Sequence, residues 1–496
     1  MVTHTKNYSY LEWNQRVNSV AWGLIELGIK PGDSIGLCLA NGEAAATMYF
    51  AIHKAGAVAV MLNTRWKYQN IAYVLCEAQV KVIVYDSPVS NEVLLAVDSC
   101  EQDILKITCD VPEKGGEISY EKLAGIPTDN APEISRDDND MGTILYTSGT
   151  TGIPKGVCRS SRSDYYSSLA IIVEHHWERF ERILMVMPLY HTMGLHTLIS
   201  MVLLNGTLIF PESGDISECL HSIVQEQITA LYLVPTIYHN LLEKIRLEGC
   251  GHLHVNKLAF AGAPMSPVLV ERCYKTFQPK IFINQYGCTE MLAITTNSQL
   301  DKKPTAAGRP TLHTRLRIVT ADRNRAVAPA EVVATGDTGE IILHASLPQT
   351  FLGYLNKPEA TKQVLHNGWY YTGDLGFLDA DGDLFLTGRV DDMIISGGEN
   401  VWPGEVEEIL MQHPGVKEVA VVGLPDEQWG ECITAFIVLA LSSLTEEELD
   451  SFCIQCPDLA RYKRPRKYIF LKEIPKSPAG KILRKYLKTA DYVSFS

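Results

Sequence analysis

The chain has 496 residues, 46% of them hydrophobic and 21% charged, the profile of an ordinary globular protein too long for one hydrophobic core, so two or more domains are expected. Lys+Arg 44 against Asp+Glu 58 gives a formal net charge of -14, which disfavours nucleic acid and anionic membrane as partners and requires any polyanion to be met by a local site. The 12 cysteines are scattered, and the C-x-x-C from Cys453 to Cys456 has neither a second pair nor a nearby histidine to complete a zinc site, so reduced thiols in a cytoplasmic protein are expected.

The start, "MVTHTKNYSYLEW", has no apolar core of a signal peptide, and the end, "DYVSFS", matches no lipidation or retention signal, so export is not expected. The runs "SIGLCLA" from Ser34, "VAVMLN" from Val58 and "VKVIVYD" from Val80 read as strands, with helical patterns at residues 45–54 and 71–78 between them. The rhythm resumes with "TILYTS" from Thr143. Residues 184–210 are the most apolar stretch, but Pro188, His191, Gly194, His196 and Asn205 interrupt it, so it reads as strand, loop and helix with no membrane span. "ITALYLVP", "KLAFAGA" and "IFINQYG" continue the series. Near-continuously apolar strands joined by helices imply parallel-rich sheets covered on both faces. From about residue 312 to 388 short strands with turn signals such as "DADGD" predict a small β-rich subdomain. After "GRVDD", the segments "EVEEILMQH", "EVAVVGLPD", "ITAFIVLA", "TEEELDSFC" and "YIFLKEIP" predict a separate α/β domain of roughly a hundred residues. The fold class is therefore α/β, with a large N-terminal domain over 1–389 and a smaller C-terminal domain over 390–496.

The stretch "YTSGTTGIPKG" at 146–156 is not a Walker loop, because Gly149 and Gly152 are three apart and Pro154 and Gly156 flank Lys155. It follows a strand, and its backbone N–H groups, hydroxyls and lysine can wrap an anion. By itself such a run is more often a flexible connection.

Its companions decide between these. "YTSGTTGIPKG", "QYGCTE" at 285–290, "YYTGDLG" at 370–376, "GRVDDMIISGGENVWPGEVE" at 388–407 and "PKSPAGKILR" at 475–484 stand in the order of the signature motifs of adenylate-forming acyl-CoA synthetases, which the chain resembles over nearly its whole length. The wording "MPLYHTMG", "ITALYLVPT" and "YKRPRK" is most similar to that of bacterial aryl-CoA ligases such as halobenzoate-CoA ligase. Those relatives carry a longer lead-in before "YSYLEWNQRVNSVAWGL", so a late start would touch the first helix and an edge strand but no motif.

The resemblance implies an ATP-, Mg²⁺- and CoA-dependent ligase that makes an acyl-adenylate and then a thioester. Thr147, Ser148, Gly149, Thr150, Thr151, Gly152 and Lys155 would hold the β- and γ-phosphates, with Tyr286 at the nucleotide. Thr289 would meet the α-phosphate, and Glu290 would ligate Mg²⁺. Asp374 and Arg389 would hold the ribose, and Asp391 would be the hinge of a mobile C-terminal cap. Lys481 would meet the carboxylate and the α-phosphate, while Gly398, Trp429, Arg464 and Arg466 would meet CoA. By position His191, Thr192, Met193, Tyr232, Ala263 and Leu292 would line the acyl pocket, with His191 at its boundary with the CoA channel.

That lining has an aromatic wall and no fixed charge. Amino-acid-activating relatives place an aspartate where Thr192 stands, so a substrate ammonium would be buried here without a partner. Small residues near Ser168 to Ala170 predict a pocket roomier than a halobenzoate needs. An aromatic or cyclic acid is therefore expected, with a medium-chain fatty acid as the alternative within the class. Loading of a carrier protein's phosphopantetheine is the alternative outside it, as is a scaffold that merely binds nucleotide. Trp429 and "KRPRK" favour free CoA, and the short tail after Lys481 leaves no carrier domain. The partners expected are a small carboxylate, ATP and CoA, with no nucleic acid and no membrane span, and a homodimer left open.

Overall fold

A run of consecutive apolar residues needs neighbours on both faces and both edges, and Ser34–Cys38 lies between two parallel strands, Val58–Met61 and Val80–Tyr85. The structure, a computed structural model, describes residues 1–111, 116–147, 154–250, 253–323, 325, 327–440, 444–476 and 482–490, with Asn400 in its backbone only. The chain packs as two units, one formed by Met1–Thr305, Pro310–Thr314 and Ala345–Gln363, the other by Ala306–Arg309, Arg315–His344 and Val364–Ser496.

The first unit is built on two sheets. In one, Met141–Thr147 lies parallel to Val58–Met61 and turns back as Lys155–Ser160, while Leu105–Thr108 and Glu117–Ser119 extend the opposite side. In the other, Thr207–Ile209, Arg182–Leu184, Ala230–Leu233, Lys257–Ala261 and Ile281–Cys288 run parallel in that spatial order, and Leu292–Asn297 returns antiparallel. The first helix, Tyr10–Glu26, opens with a capping box between Ser9 and Glu12 and buries Trp13, Val17, Val20, Ala21 and Leu24. Helix Ser161–Glu174 differs, because its buried face includes Ser163, Asp164, Ser167 and Ser168. No apolar stripe announces it; Asp164 Oδ1, Ser167 and Ser168 have partners described below.

The β-rich stretch expected over 312–388 is not one block. Ala345–Gln363 packs in the first unit, where Gly353–Tyr354 pairs with Lys155–Ser160, and the Leu352 and Leu355 N–H groups donate to the carbonyls of Cys158 and Gly156 (both 2.8 Å). An exposed sheet edge offers unpaired backbone groups, and this segment satisfies them. In the second unit, Leu316–Val319, Gly339–His344, Trp369–Leu378, Leu365–His366 and Leu384–Arg389 form an antiparallel sheet.

Further along, the hairpin of Val416–Asp426 and Gly430–Leu439 carries Lys467–Leu471 in parallel. Helices Pro403–Met411 and Glu446–Gln455 bury Val406, Leu410 and Leu449 against Val421, Ile433 and Ile437, whereas Leu487 packs with Ala420, Val422 and Phe436. Within this unit Arg323 Nη1 donates to the Met393 carbonyl (2.9 Å) and pairs with Glu431 (3.3 Å), joining the antiparallel sheet to residues after 390. Among the described residues no helix is long and apolar enough to cross a membrane.

Candidate active site

Thr147 and Lys155 face each other as the last pair of an antiparallel hairpin before the segment that connects its strands. Ser148, Gly149, Thr150, Thr151 and Gly152 lie outside the described residues. Thr147 stands at the carboxyl end of Met141–Thr147, the edge at which ligands bind in open α/β sheets. Lys155 Nζ stands 5.2 Å from the centre of the Tyr354 ring, and the Tyr354 hydroxyl donates to Glu290 Oε1 at 2.7 Å. One tyrosine thus ties the lysine of the Gly/Thr loop to the carboxylate of "QYGCTE". Glu290 is only 8% exposed, and its carbonyl accepts from the Phe351 N–H (2.9 Å).

Tyr286 and Thr289 lie at the carboxyl end of Ile281–Cys288. A bulge follows Tyr286, and Gly287 is required there, since a Cβ would come within 1.5 Å of the Leu292 carbonyl oxygen. Leu292 itself has φ 58, a left-handed backbone for a bulky residue that its buried setting holds in place.

Beneath this turn lies a group the sequence reading missed. Arg159 is completely buried; its Nη1 donates to the Thr289 carbonyl (2.9 Å), its Nη2 to Ser167 Oγ (2.8 Å) and the Ser163 carbonyl (3.2 Å), and its Nε to Asp164 Oδ1 (2.5 Å). His196 Nε2 lies 3.3 Å from the same Asp164 oxygen. Burial alone would raise the Asp164 carboxyl, but Arg159 and His196 overcome it and hold the carboxyl well below the usual carboxylate range. The available signal was an arginine inside an apolar strand followed, five residues on, by an aspartate in the first turn of a helix.

The proposed acyl-pocket residues share one edge of the second sheet. Tyr232 is near the carboxyl end of Ala230–Leu233, Ala263 follows Lys257–Ala261, and Leu292 starts the strand paired with Ile281–Cys288. Tyr232 is 2% exposed and meets His175 (4.7 Å between ring centres) and Trp177 (6.2 Å) edge-on. Burial pushes His175 down to about 3, so this wall stays uncharged. Met193 is buried and Ala263 half-buried, whereas His191 is exposed at the start of helix Thr192–Leu203, its ring 4.7 Å from that of Tyr190. Ser168 is fully buried, and its hydroxyl donates to the Asp164 carbonyl (2.8 Å).

In the second unit Asp374 and Arg389 are directly opposed across two strands and form an ion pair. Glu340, also missed in the sequence, lies beside them with its Oε1 accepting from the Gly373 N–H (3.0 Å). Burial pushes its carboxyl up to about 7, against the opposing pull of that hydrogen bond and of Arg389, with Asp374 and Asp391 adding to the rise. Between the unfolded value near 4.5 and 7 the folded protein holds the extra proton, so stability falls as pH rises through that window and levels off above it. Glu340→Gln is expected to flatten this slope, worth up to about 3 kcal/mol, in urea unfolding between pH 5 and 8.

Asp391 is exposed in the short 3-10 turn Val390–Asp392. Gly397 and Gly398 make the next turn, with φ of 61 and 86; the Gly397 N–H donates to the Trp429 carbonyl (2.8 Å), and a Cβ there would meet the indole at 3.0 Å. Arg466, exposed, stacks over the same indole at 5.1 Å. Gly398, Trp429 and Arg466 are thus brought together. Arg464 instead pairs with Asp450. On the expectation that this group meets CoA, Arg466→Ala should raise the KM for CoA about 10-fold, a charge-assisted hydrogen bond being worth about 1.5 kcal/mol, and Arg464→Ala should raise it much less. Lys481 lies outside the described residues. Its flanks are closed by a bridge between Lys476 and Ile482 and by the Leu483 N–H on the Pro475 carbonyl (2.8 Å), and Arg484 pairs with Glu407 (2.6 Å) and Asp392 (3.4 Å).

A Gly/Thr-rich sequence after a strand's carboxyl end, its lysine held on the same tyrosine as a buried carboxylate suited to a hard cation, describes a nucleotide-handling α/β enzyme. The AMP-binding enzyme family matches residues 1–355, and the AMP-binding enzyme C-terminal domain matches residues 405–481. The chain is 32% identical over 491 residues to the long-chain-fatty-acid–CoA ligase FadD13 of Mycobacterium tuberculosis, covering 97% of this chain and 92% of that one. It is also 32% identical over 486 residues to the 4-chlorobenzoate–CoA ligase of an Arthrobacter species, covering 97% and 89%. Its fold superposes on o-succinylbenzoate CoA synthetase (MenE) of Bacillus subtilis in complex with the acyl-adenylate intermediate OSB-AMP, with a TM-score of 0.81, 28% identity, and coverage of 100% and 96%. The chain belongs to the AMP-binding enzyme family, within the adenylate-forming acyl-CoA synthetases.

Proposed function

We propose that this protein is an AMP-forming carboxylate–CoA ligase acting on an aromatic or cyclic acid. The observation that carries the reading is the Lys155–Tyr354–Glu290 arrangement, which sets the lysine of a phosphate loop and a buried carboxylate on the same tyrosine. The substrate carboxylate attacks the α-phosphorus of ATP and pyrophosphate leaves; the thiol of CoA then attacks the acyl carbon and AMP leaves. Both steps crowd charge on oxygen, so fixed donors and cations do most of the work.

The loop from Thr147 to Lys155 holds the β- and γ-phosphates, and Thr289, its carbonyl fixed by Arg159, turns toward the α-phosphate. Glu290 fits Mg²⁺, since Tyr354 occupies Oε1 and carboxylate oxygen is the donor this cation takes. When bound, Mg²⁺ neutralises phosphate charge. Asp374, oriented by Arg389, accepts from the ribose hydroxyls, and Lys481 stabilises charge at the α-phosphate. His191, Met193, Tyr232, Ala263 and Leu292 line the acid site, and Gly398, Trp429 and Arg466 the path of CoA. The neutral wall of Tyr232 and His175 supports a ring or alicyclic acid. The small buried Ser168 supports a second reading, a medium-chain fatty acid.

A panel of benzoates, alicyclic acids, medium-chain acids and α-amino acids, scored by AMP and CoA-thioester formation, tests the proposal. Ring acids are expected to exceed α-amino acids by about 10-fold or more, since an unpaired buried ammonium costs a few kcal/mol. Ala263→Phe is expected to raise KM most for the bulkiest acid. Preferential turnover of amino acids would refute the acid class, and an Ala263→Phe enzyme with an unchanged acid series would remove Ala263 from the pocket.

A further inference from the structure

The fold brings together two cysteines that lie 24 residues apart in the chain. Cys76, in the last turn of helix Tyr68–Glu77, is exposed, and Cys100, just past helix Ser90–Asp98, is half-buried. Their sulfurs are 3.2 Å apart. A disulfide is about 2.05 Å long, so closing the gap asks for a shift of about 1 Å at a surface helix end. Cys76 is the one exposed cysteine of the 12, and every one is a free thiol.

Glu77, the next residue, accepts from the Tyr146 hydroxyl (2.9 Å) and the Tyr73 hydroxyl (2.5 Å), and it pairs with Lys357. Tyr146 immediately precedes Thr147, where the phosphate loop begins. The residue after Cys76 is therefore bonded to the strand that leads into this loop, near that strand's carboxyl end.

We propose that Cys76 and Cys100 form a dithiol site that a hydroperoxide closes to an intramolecular disulfide, altering ATP binding through Glu77 and Tyr146. The ATP consequence rests on the reading of the phosphate loop; the thiol chemistry does not. The exposed Cys76 sulfur attacks the peroxide, the O–O bond breaks, the sulfur is oxidised to a sulfenic acid, and an alcohol leaves. The Cys100 sulfur then attacks the sulfenic sulfur. The S–S bond forms, and the hydroxyl departs as water with the Cys100 proton. In sum, two thiols and one hydroperoxide give a disulfide, an alcohol and water, and a dithiol reductant reverses the closure. Burial and the neighbouring Cys76 push the Cys100 thiol up to about 12, which leaves Cys76 to react first.

The experiment treats the full chain with hydrogen peroxide, blocks remaining thiols with N-ethylmaleimide and maps peptides by mass spectrometry. The expected result is a Cys76–Cys100 cross-link in a monomeric chain, removed by dithiothreitol and absent from Cys76→Ser and from Cys100→Ser. Calorimetric titration with ATP is expected to give a Kd at least ~3-fold different between oxidised and reduced wild type, with no such difference in Cys76→Ser. Over-oxidation of Cys76 to a sulfinic or sulfonic acid, or its linkage to a second chain, overturns the site. A cross-link formed with the ATP Kd unmoved, or a shift that persists in Cys76→Ser, overturns the coupling. The peptide map reads the thiols whether or not any carboxylate proves to be a substrate, so failure of the ligase reading is told apart.

Discussion

Arg159→Ala is expected to destabilise the protein by about 3–5 kcal/mol, because it leaves Asp164 charged and buried without its guanidinium. The side chains of Arg159 and Asp164 are 0% and 4% exposed, so water cannot replace the lost partner. Asp164→Ala is expected to cost a similar amount by stranding the arginine. The double variant Arg159→Leu/Asp164→Leu is expected to recover most of the loss, since removing both charges also removes their desolvation. The Asp164 carboxyl is held below its ordinary value, so its contribution is present above about pH 4 and fades as pH falls through the lower folded value, where wild type and double variant should converge. Urea unfolding at neutral and acid pH reads all of these. The double variant also isolates the positioning role: stability returns, but the Thr289 carbonyl has lost its donor, so the KM for MgATP should stay raised while CoA is unaffected. A double variant no more stable than either single one would show that the network is held by something other than this pair.

The parallel strands were legible because each is a short apolar run between polar, helix-length segments; Ser34–Cys38, Val80–Tyr85 and Ile281–Cys288 lie where those runs are. The Gly/Thr loop could be located by the same means, since it interrupts two such runs. What the sequence hid were partners distant in the chain. Tyr354 lies 64 residues from Glu290, and nothing around "FLGYLNKP" marks a tyrosine that joins two motifs. The break in the β-rich stretch has the same origin, because the edge that Gly353–Tyr354 completes belongs to a strand near residue 158. Arg464 stands in a basic run that local composition makes a single patch, yet Asp450, on the helix before it, takes its charge and leaves Arg466 over Trp429. Glu340 reads as an ordinary strand glutamate until the opposing Asp374 and Arg389 surround it.

Lys481→Ala is expected to slow acyl-adenylate formation by ~10²-fold or more, the usual loss when one charge-stabilising group is removed from a charge-developing step. It should leave thioester formation from a supplied acyl-adenylate near normal, because the CoA contacts proposed for Gly398, Trp429 and Arg466 lie on other strands and turns. Folding should be little affected, since the ends of this segment are fixed without the lysine, by the Lys476–Ile482 bridge and the Arg484–Glu407 pair. If the cap turns about Asp391 between the two steps, Arg323 must release both Met393 and Glu431, two bonds that cross the proposed hinge. Asp391→Pro, which fixes φ there, is then expected to impair the thioester step, and Arg323→Ala to change the ratio of the two rates by a few-fold without altering either substrate site. Single-turnover measurement of each half-reaction in the three variants decides it: equal impairment of both steps by Lys481→Ala would mean that the lysine serves the fold of the cap, and the division of labour between the two half-reactions would have to be given up.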